Sequence, residues 1–303
     1  MHAWLARTAP KKVSGLEGAL GSDAIALRAS RSRRYWCTDQ TIEGVHYESD
    51  VSPSVAGAKA CARALSDLAA SGATPEAVLL ALSVPVGEAE ARLKRGIGGV
   101  RRMARKHGAE LVGGDLSAAG DHWHWTVTAI GRQSTERRSV DRRGGRAGDV
   151  LVVSGAVGGS QLGRHLKIQP RIEAGRALFD AGARAMLDTT DGTALDLVRL
   201  AEASGVGLRL DDLPVHAHAK RAARTSGRSA LEHALTDGED HELFALLPPS
   251  AWKRLSRSLV RRIPGLTAIG RATRRPGVLL ELEDGRTLDL ADYEGWDHGR
   301  SNH

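Results

Sequence analysis

Carboxylates set beside glycine, serine or threonine recur along the chain, in Gly21-Ser22-Asp23-Ala24, Thr38-Asp39, Ser66-Asp67, Gly113-Gly114-Asp115, Asp188-Thr189-Thr190-Asp191-Gly192 and Gly238-Glu239-Asp240. Hard cations such as Mg²⁺ require oxygen ligands, and small neighbouring residues leave room for water and phosphate oxygens around the ion. The chain therefore reads as a metal-dependent phosphate enzyme. Asp67 falls near the C-terminal end of a predicted helix, where the macrodipole disfavours an anion, and Ala64, Leu65, Leu68 and Ala69 flank it with apolar surface. A carboxylate there needs a compensating cation, which is either a metal ion or Arg63 or Lys59 one turn or two away. Asp188 to Gly192 sets two carboxylates and two hydroxyls just before a predicted helix. An N-cap role accounts for Asp191 but not for Asp188 as well. Asp39 and Asp115 follow the apolar runs Tyr35-Trp36-Cys37-Thr38 and Leu111-Val112-Gly113-Gly114, at expected strand ends where functional groups concentrate. Taken singly, each also reads as a turn-forming aspartate.

Familiar nucleotide motifs are absent: there is no G-x-x-x-x-G-K-[ST], no kinase-type catalytic loop, and no G-x-G-x-x-G after a strand. Ser154 to Gly163 is glycine-rich and lies between a predicted strand and helix, yet it lacks the lysine. It either cradles phosphate or simply turns the chain.

These residues must be held by alternating strands and helices. Strands are expected at Ala24–Arg28 and Tyr35–Thr38, a helix from Ser54 to Ser71 stopped by Gly72, a strand at Glu76–Val84 and a helix from Glu88 to Lys106 closing at His107-Gly108. Glu110–Val112 and Trp123–Ile130 follow as strands. Between Gly131 and Gly148 the chain turns rich in Arg, Gly and Ser, which marks a domain boundary and gives an N-terminal domain of residues 1–135 and a C-terminal domain of 136–303. The second series has strands at Val150–Val153, Val206–Leu210, Glu242–Leu247, Leu266–Ile269, Val278–Leu282 and Thr287–Leu290. Its helices are expected around Gln161–Leu166, Ile172–Ala181 and Thr193–Ala203. Both halves mix helix and strand, an α/β class of protein.

With 303 residues, 41% apolar and 26% charged, the chain is long enough for two medium domains. Its longest apolar run, Ala77 to Val86, is shorter than the roughly 18 to 20 residues of a membrane span. The opening residues lack a signal-peptide core, and Cys37 and Cys61 make no disulfide framework, so a cytoplasmic location is expected. The net charge of +7 is spread over small arginine groups, and aromatic residues make up only 4% of the chain. That pattern is a solvated surface rather than a nucleic-acid footprint, and neither nucleic acid nor membrane is an expected partner.

The order and spacing of the acidic stretches resemble the thiamine-monophosphate kinase family, within the superfamily that also holds aminoimidazole ribonucleotide synthetase and selenophosphate synthetase. The resemblance spans Gly21 to His298. It includes Glu43-Gly44-Val45-His46-Tyr47, Leu65 through Pro75, Gly238-Glu239-Asp240-His241-Glu242-Leu243 and Gly295-Trp296-Asp297-His298 along with the stretches above. The resemblance implies two PurM-like α/β domains, the N-terminal one forming a β-rich homodimer interface. It also implies ATP-dependent phosphorylation of thiamine monophosphate to thiamine diphosphate by direct transfer, with several Mg²⁺ ions. Carried over by position, Asp23, Thr38, Asp39, Asp67, Asp115, Asp188 and Asp191 match the metal-binding set. Gly114, Asp115, Arg142 and Thr190 match nucleotide contacts, and His46, Glu239 and Trp296 match positions that hold the thiamine phosphate. By the same resemblance Asp191 and Arg142 are the expected catalytic residues. The chain departs from the family at Ser22, where a second Asp is usual, at Cys37 for Ser or Thr, at His241 for Tyr, and in a shortened 158–171 segment. These departures leave two other readings: a superfamily enzyme with a different acceptor, and a paralogue that binds nucleotide or thiamine phosphate without catalysis.

Overall fold

The computed structural model describes residues 16–17, 26–27, 32–133, 139–258 and 263–296. The chain forms two compact units, one of residues 1–68, 73–137 and 166–169, the other of 69–72, 138–165 and 170–303. A two-residue antiparallel ladder pairs β1 (Leu16–Glu17) with β2 (Ala26–Leu27).

The first unit is built on a four-stranded sheet of order β3-β6-β4-β5, from β3 (Arg33–Ile42), β4 (Thr74–Val84), β5 (Glu110–Ala118) and β6 (His124–Gln133). Its pairs are antiparallel except β4 with β5, which is parallel. Two helices, α1 (Pro53–Ala70) and α2 (Glu90–Lys106), contribute to one core with the sheet. Proline suits the first position of α1, where no amide partner is lost, and Gly72 closes it in the left-handed conformation at φ 64°. Along α2, Leu93, Ile97, Val100 and Ala104 recur at helical spacing and are buried. The glycines of the two helices permit very close approach: a Cβ on Gly99 would stand 2.1 Å from the Ser54 carbonyl oxygen.

Strand alternation divides the sheet into two faces. Val78, Leu80, Leu82 and Val84 of β4 and Trp125, Val127 and Ala129 of β6 join the core that includes α1 and α2. Ala77, Val112 and Ile130 cluster separately with Leu79, and Trp36 of β3 is 55% exposed.

The second unit is a seven-stranded sheet of order β13-β12-β9-β11-β7-β10-β8. Its strands are β7 (Val150–Val153), β8 (Ala185–Asp188), β9 (Gly207–Leu210), β10 (Leu243–Leu247), β11 (Thr267–Thr273), β12 (Val278–Glu281) and β13 (Thr287–Asp289). All neighbours are antiparallel except β12 with β9. Among the described residues this half has five helices: α3 (Ile172–Ala181), α4 (Thr193–Ser204), α5 (Ala217–Ser226), α6 (Ala230–Thr236) and α7 (Pro249–Ser258). Phe244 and Leu246 of β10 enter a core with Leu197 and Leu200 of α4, whereas Leu243, Ala245 and Leu247 enter another with Leu178 of α3 and Leu255 of α7. Burial on both faces is why this strand reads as an unbroken apolar run.

Several sequence expectations are corrected. The helix expected around Gln161–Leu166 is only a 3₁₀ turn at Arg164–Leu166, preceded by Gly158, Gly159 and Gly163 at positive φ. Strand β8 and helices α5, α6 and α7 go beyond the predicted elements, although Ser229 and Glu232 form a reciprocal capping box at the start of α6. Strands β3 and β5 are longer than expected, which places Asp39 and Asp115 inside strands rather than after them. The parallel ladder with β4 carries β5 through Gly113-Gly114 by a register shift at Val78/Leu79. Among the described residues, no helix is long and apolar enough to cross a membrane.

Candidate active site

In the first unit, strand alternation separates Thr38 from Asp39. Thr38 pairs across the ladder with Thr128, their hydroxyl oxygens 2.9 Å apart. Asp39 is turned the other way and accepts from Arg63 of α1, Nε to Oδ2 at 3.0 Å and Nη2 to Oδ1 at 3.2 Å, and from the Gln40 amide at 2.6 Å. Cys37 shares that side and donates its thiol to the Ala64 carbonyl at 3.1 Å. Asp115 instead lines an open cavity of about 440 Å³ with Gln40, Ser83, Ser117, His124 and Thr126. Gly114, beside it, brings β5 so close to β4 that a Cβ there would lie 1.8 Å from the Leu80 carbonyl oxygen.

His46 sits in the turn after β3, where its Nδ1 accepts from the Ile42 amide at 3.0 Å. Asp67 lies half-buried in the last turn of α1, four residues beyond Arg63 and eight beyond Lys59, so the three share one helical face. Asp23 and Ser22 lie outside the described residues.

The second unit brings together three segments that are far apart in sequence. Asp188 ends β8, and the turn after it is pinned from both sides: the Glu239 amide donates to the Thr190 carbonyl at 2.7 Å, and the Trp296 amide to the Asp191 carbonyl at 2.7 Å. Asp188, Thr190, Asp191, Glu239 and Trp296 therefore belong to one cluster. Arg199 pairs with the Asp191 carboxylate. Glu239 and His241 hold φ of 49° and 52°, a left-handed backbone unusual outside glycine and concentrated at functional sites. His241 is buried, with Nδ1 3.5 Å from Asp188 Oδ2. Arg142 is exposed in the loop before β7, and its carbonyl accepts from the Ser204 hydroxyl at 2.9 Å.

In the glycine-rich turn after β7 two amides are bound by the chain's own side chains. Asp240 accepts the Gly158 amide with both oxygens at 2.9 Å, and Asp237 accepts the Gly159 amide at 3.0 Å. These bonds fix the turn.

Sequence reasoning missed Asp196. This residue of α4 is only 3% exposed, and its Oδ2 accepts from the Thr189 hydroxyl at 3.0 Å and the Thr190 and Asp191 amides at 2.9 and 3.1 Å. It fixes the turn that carries Asp188 and Asp191. The available signal was a carboxylate on an otherwise apolar helical face with Ala194, Leu197, Leu200 and Ala201. Burial, with the neighbouring Asp191 charge, pushes its carboxyl up to about 6 against those donors. The folded chain thus holds the proton more tightly than the unfolded chain. Stability from this group is greatest below about pH 4 and declines by on the order of 3 kcal/mol as pH rises through about 6. Asp196→Asn, which keeps an acceptor oxygen, is expected to flatten that decline in urea unfolding between pH 4 and 7; an unchanged slope would contradict it.

The donors at these positions are all hard oxygens, which suits Mg²⁺. Among the described residues, no group of three His, Cys, Asp or Glu side chains is placed to hold an ion alone. Mg²⁺ is commonly held by one or two carboxylates together with water and substrate phosphates, and the dispersed carboxylates fit that mode.

The two mixed α/β units belong to a class of protein, the AIR synthase related proteins. The family profile of the N-terminal domain matches residues 21–133 and that of the C-terminal domain residues 106–282. The chain is 36% identical over 290 residues to the thiamine-monophosphate kinase of Rhodopirellula baltica, covering 94% of this chain and 88% of that one. It is similar to the crystal structure of thiamine-monophosphate kinase from Stenotrophomonas maltophilia K279a, with TM-score 0.79, 28% identity and coverage of 90% and 92%. AaThiL complexed with AMPPCP and TMP gives TM-score 0.77, 28% identity and coverage of 90% and 89%. The chain belongs to the thiamine-monophosphate kinase family of enzymes.

Proposed function

We propose that the chain transfers the γ-phosphoryl group of ATP in line to thiamine monophosphate, forming thiamine diphosphate and ADP, and that it requires Mg²⁺. The observation that carries this reading is the convergence of Asp188, Thr190, Asp191, Glu239 and Trp296 through the turn contacts of the second unit. The relative bound to an ATP analogue and TMP supports it. In this reading Asp23, Thr38, Asp39, Asp67, Asp115, Asp188 and Asp191 hold Mg²⁺, whose charge stabilises the phosphate oxygens when bound. Gly114, Asp115, Arg142 and Thr190 contact ATP, with the Arg142 guanidinium matched to the charge on the transferred group. His46 and Glu239 orient thiamine monophosphate and Trp296 stacks on its ring. The acceptor is a phosphate oxygen ionised near neutral pH, so positioning replaces a strong general base.

The domains divide near residue 135, and the enzyme works as a cytoplasmic homodimer through the open face of the first unit's sheet, where exposed Trp36 favours coverage. The test is Mg²⁺-dependent ADP release with and without thiamine monophosphate, with the product identified by chromatography. Thiamine diphosphate is expected. ADP formed only with another acceptor would mark a different substrate, and a raised melting temperature with both ligands but no ADP would mark a silent binding protein.

A further inference from the structure

Lys59 is 0% exposed, and its Nζ donates to the His46 carbonyl oxygen at 2.5 Å. An ammonium taken out of water carries a large desolvation cost that only close acceptors offset. An apolar side chain of similar length would fill the same place without that cost, so packing alone does not account for a lysine here. Through the His46 carbonyl the ammonium is tied to the turn from Ile42 to Tyr47. That turn has its own bonds, His46 amide to Ile42 carbonyl at 2.9 Å, Val45 amide to the same oxygen at 3.2 Å, and Gly44 amide to Tyr47 carbonyl at 2.9 Å.

The Ile42 amide, which donates to His46 Nδ1 at 3.0 Å, decides the chemistry of the ring. A nitrogen that accepts carries no proton, so the imidazole is neutral and its proton sits on Nε2. The ring then offers a donor, which matches an oxyanion and not another N–H. We infer that Lys59 is a positioning residue whose buried ammonium fixes the Ile42–Tyr47 turn, so that His46 presents Nε2–H to the anionic phosphate of the acceptor substrate. The inference rests on the reading above that His46 holds that phosphate.

The experiment has two arms on the full-length protein. Imidazole nitrogen NMR, with His46 assigned by its loss in His46→Gln, is expected to show Nε2 protonated and Nδ1 bare in the wild type. A mixture of the two tautomers is expected in Lys59→Met. In steady-state kinetics, Lys59→Met is expected to raise the KM for thiamine monophosphate by about tenfold or more with the KM for ATP unchanged, and Lys59→Arg to recover part of the loss. A purely structural role would instead lower kcat and leave both KM values alone. A wild-type His46 protonated on Nδ1, or a KM for thiamine monophosphate that does not move, or equal rises in both KM values, would overturn the inference. If Lys59→Met does not fold, the wild-type tautomer and the KM values of Lys59→Arg, expected to lie above wild type for thiamine monophosphate alone, decide it. Absence of wild-type turnover with thiamine monophosphate would defeat the functional reading, while the NMR arm would still judge the coupling of Lys59 to His46.

Discussion

Asp191→Asn is expected to lower phosphoryl transfer by about 10³-fold with the fold retained, and Asp67→Asn to do the same, because on the proposed assignment each removes a metal-holding charge and little packing. For Asp191 the structural work is done by the backbone. Its amide donates to Asp196, and its carbonyl accepts from Trp296. Neither bond depends on the carboxylate, whose pairing with Arg199 lies at a partly exposed site and contributes little to stability. Asp67 occupies the last turn of α1, where loss of an anion should relieve rather than strain the helix. Melting temperature and single-turnover rate at saturating Mg²⁺ and ATP are the paired measurements. Wild-type rates in both variants would sink the metal assignment, and a collapse of melting temperature would mean that these carboxylates serve the fold.

Gly114→Ala is expected to be the most damaging small substitution in the first unit. Its Cβ would lie 1.8 Å from the Leu80 carbonyl oxygen, 2.6 Å from the carbonyl carbon and 2.9 Å from the nitrogen, all backbone atoms that no rotamer change can move. The residue also holds φ of 148°, which side chains rarely adopt. Relief requires β5 to slide off β4, and the cost should be on the order of 3 kcal/mol or more. Asp115 would move with the strand, so on the proposed contact of Asp115 with ATP the nucleotide affinity is expected to fall as well. Gly108→Ala is the control, because that glycine also has positive φ (79°) yet a Cβ there meets nothing within 4 Å. A Gly114→Ala protein that unfolds in urea with the control would contradict the close approach of the two strands.

The legible parts of this chain are those in which one physical rule dominates. Ile172–Ala181 and Val150–Val153 are found where the sequence places them, because helical and strand periodicity is strong and Gly182 provides a stop. The ends of β3 and β5 are less legible. Glycine and aspartate read locally as turns, but the parallel ladder with β4 satisfies the backbone through Gly113 and Gly114 and carries the strand on to Ala118. Helix α5 was missed because alanine, histidine and arginine give it only one buried position, Ala219. In the site, acidic residues in small-residue turns were visible, whereas the supporting shell was not. Asp196 and Lys59 are ordinary charged helix residues until the fold shows that both are buried and what they hold. The opposition of Thr38 and Asp39 follows from strand alternation once β3 is known to run through them.

Lys59, Arg63 and Asp67 make α1 the common ruler for the His46 turn, for β3 through Asp39, and for a carboxylate of its own. A single inserted or deleted residue between Lys59 and Asp67 rotates everything on one side of it by about 100° relative to the other. Length changes of one residue are therefore barred from this stretch even where composition is freely exchangeable. The helix is constrained by arithmetic as much as by chemistry.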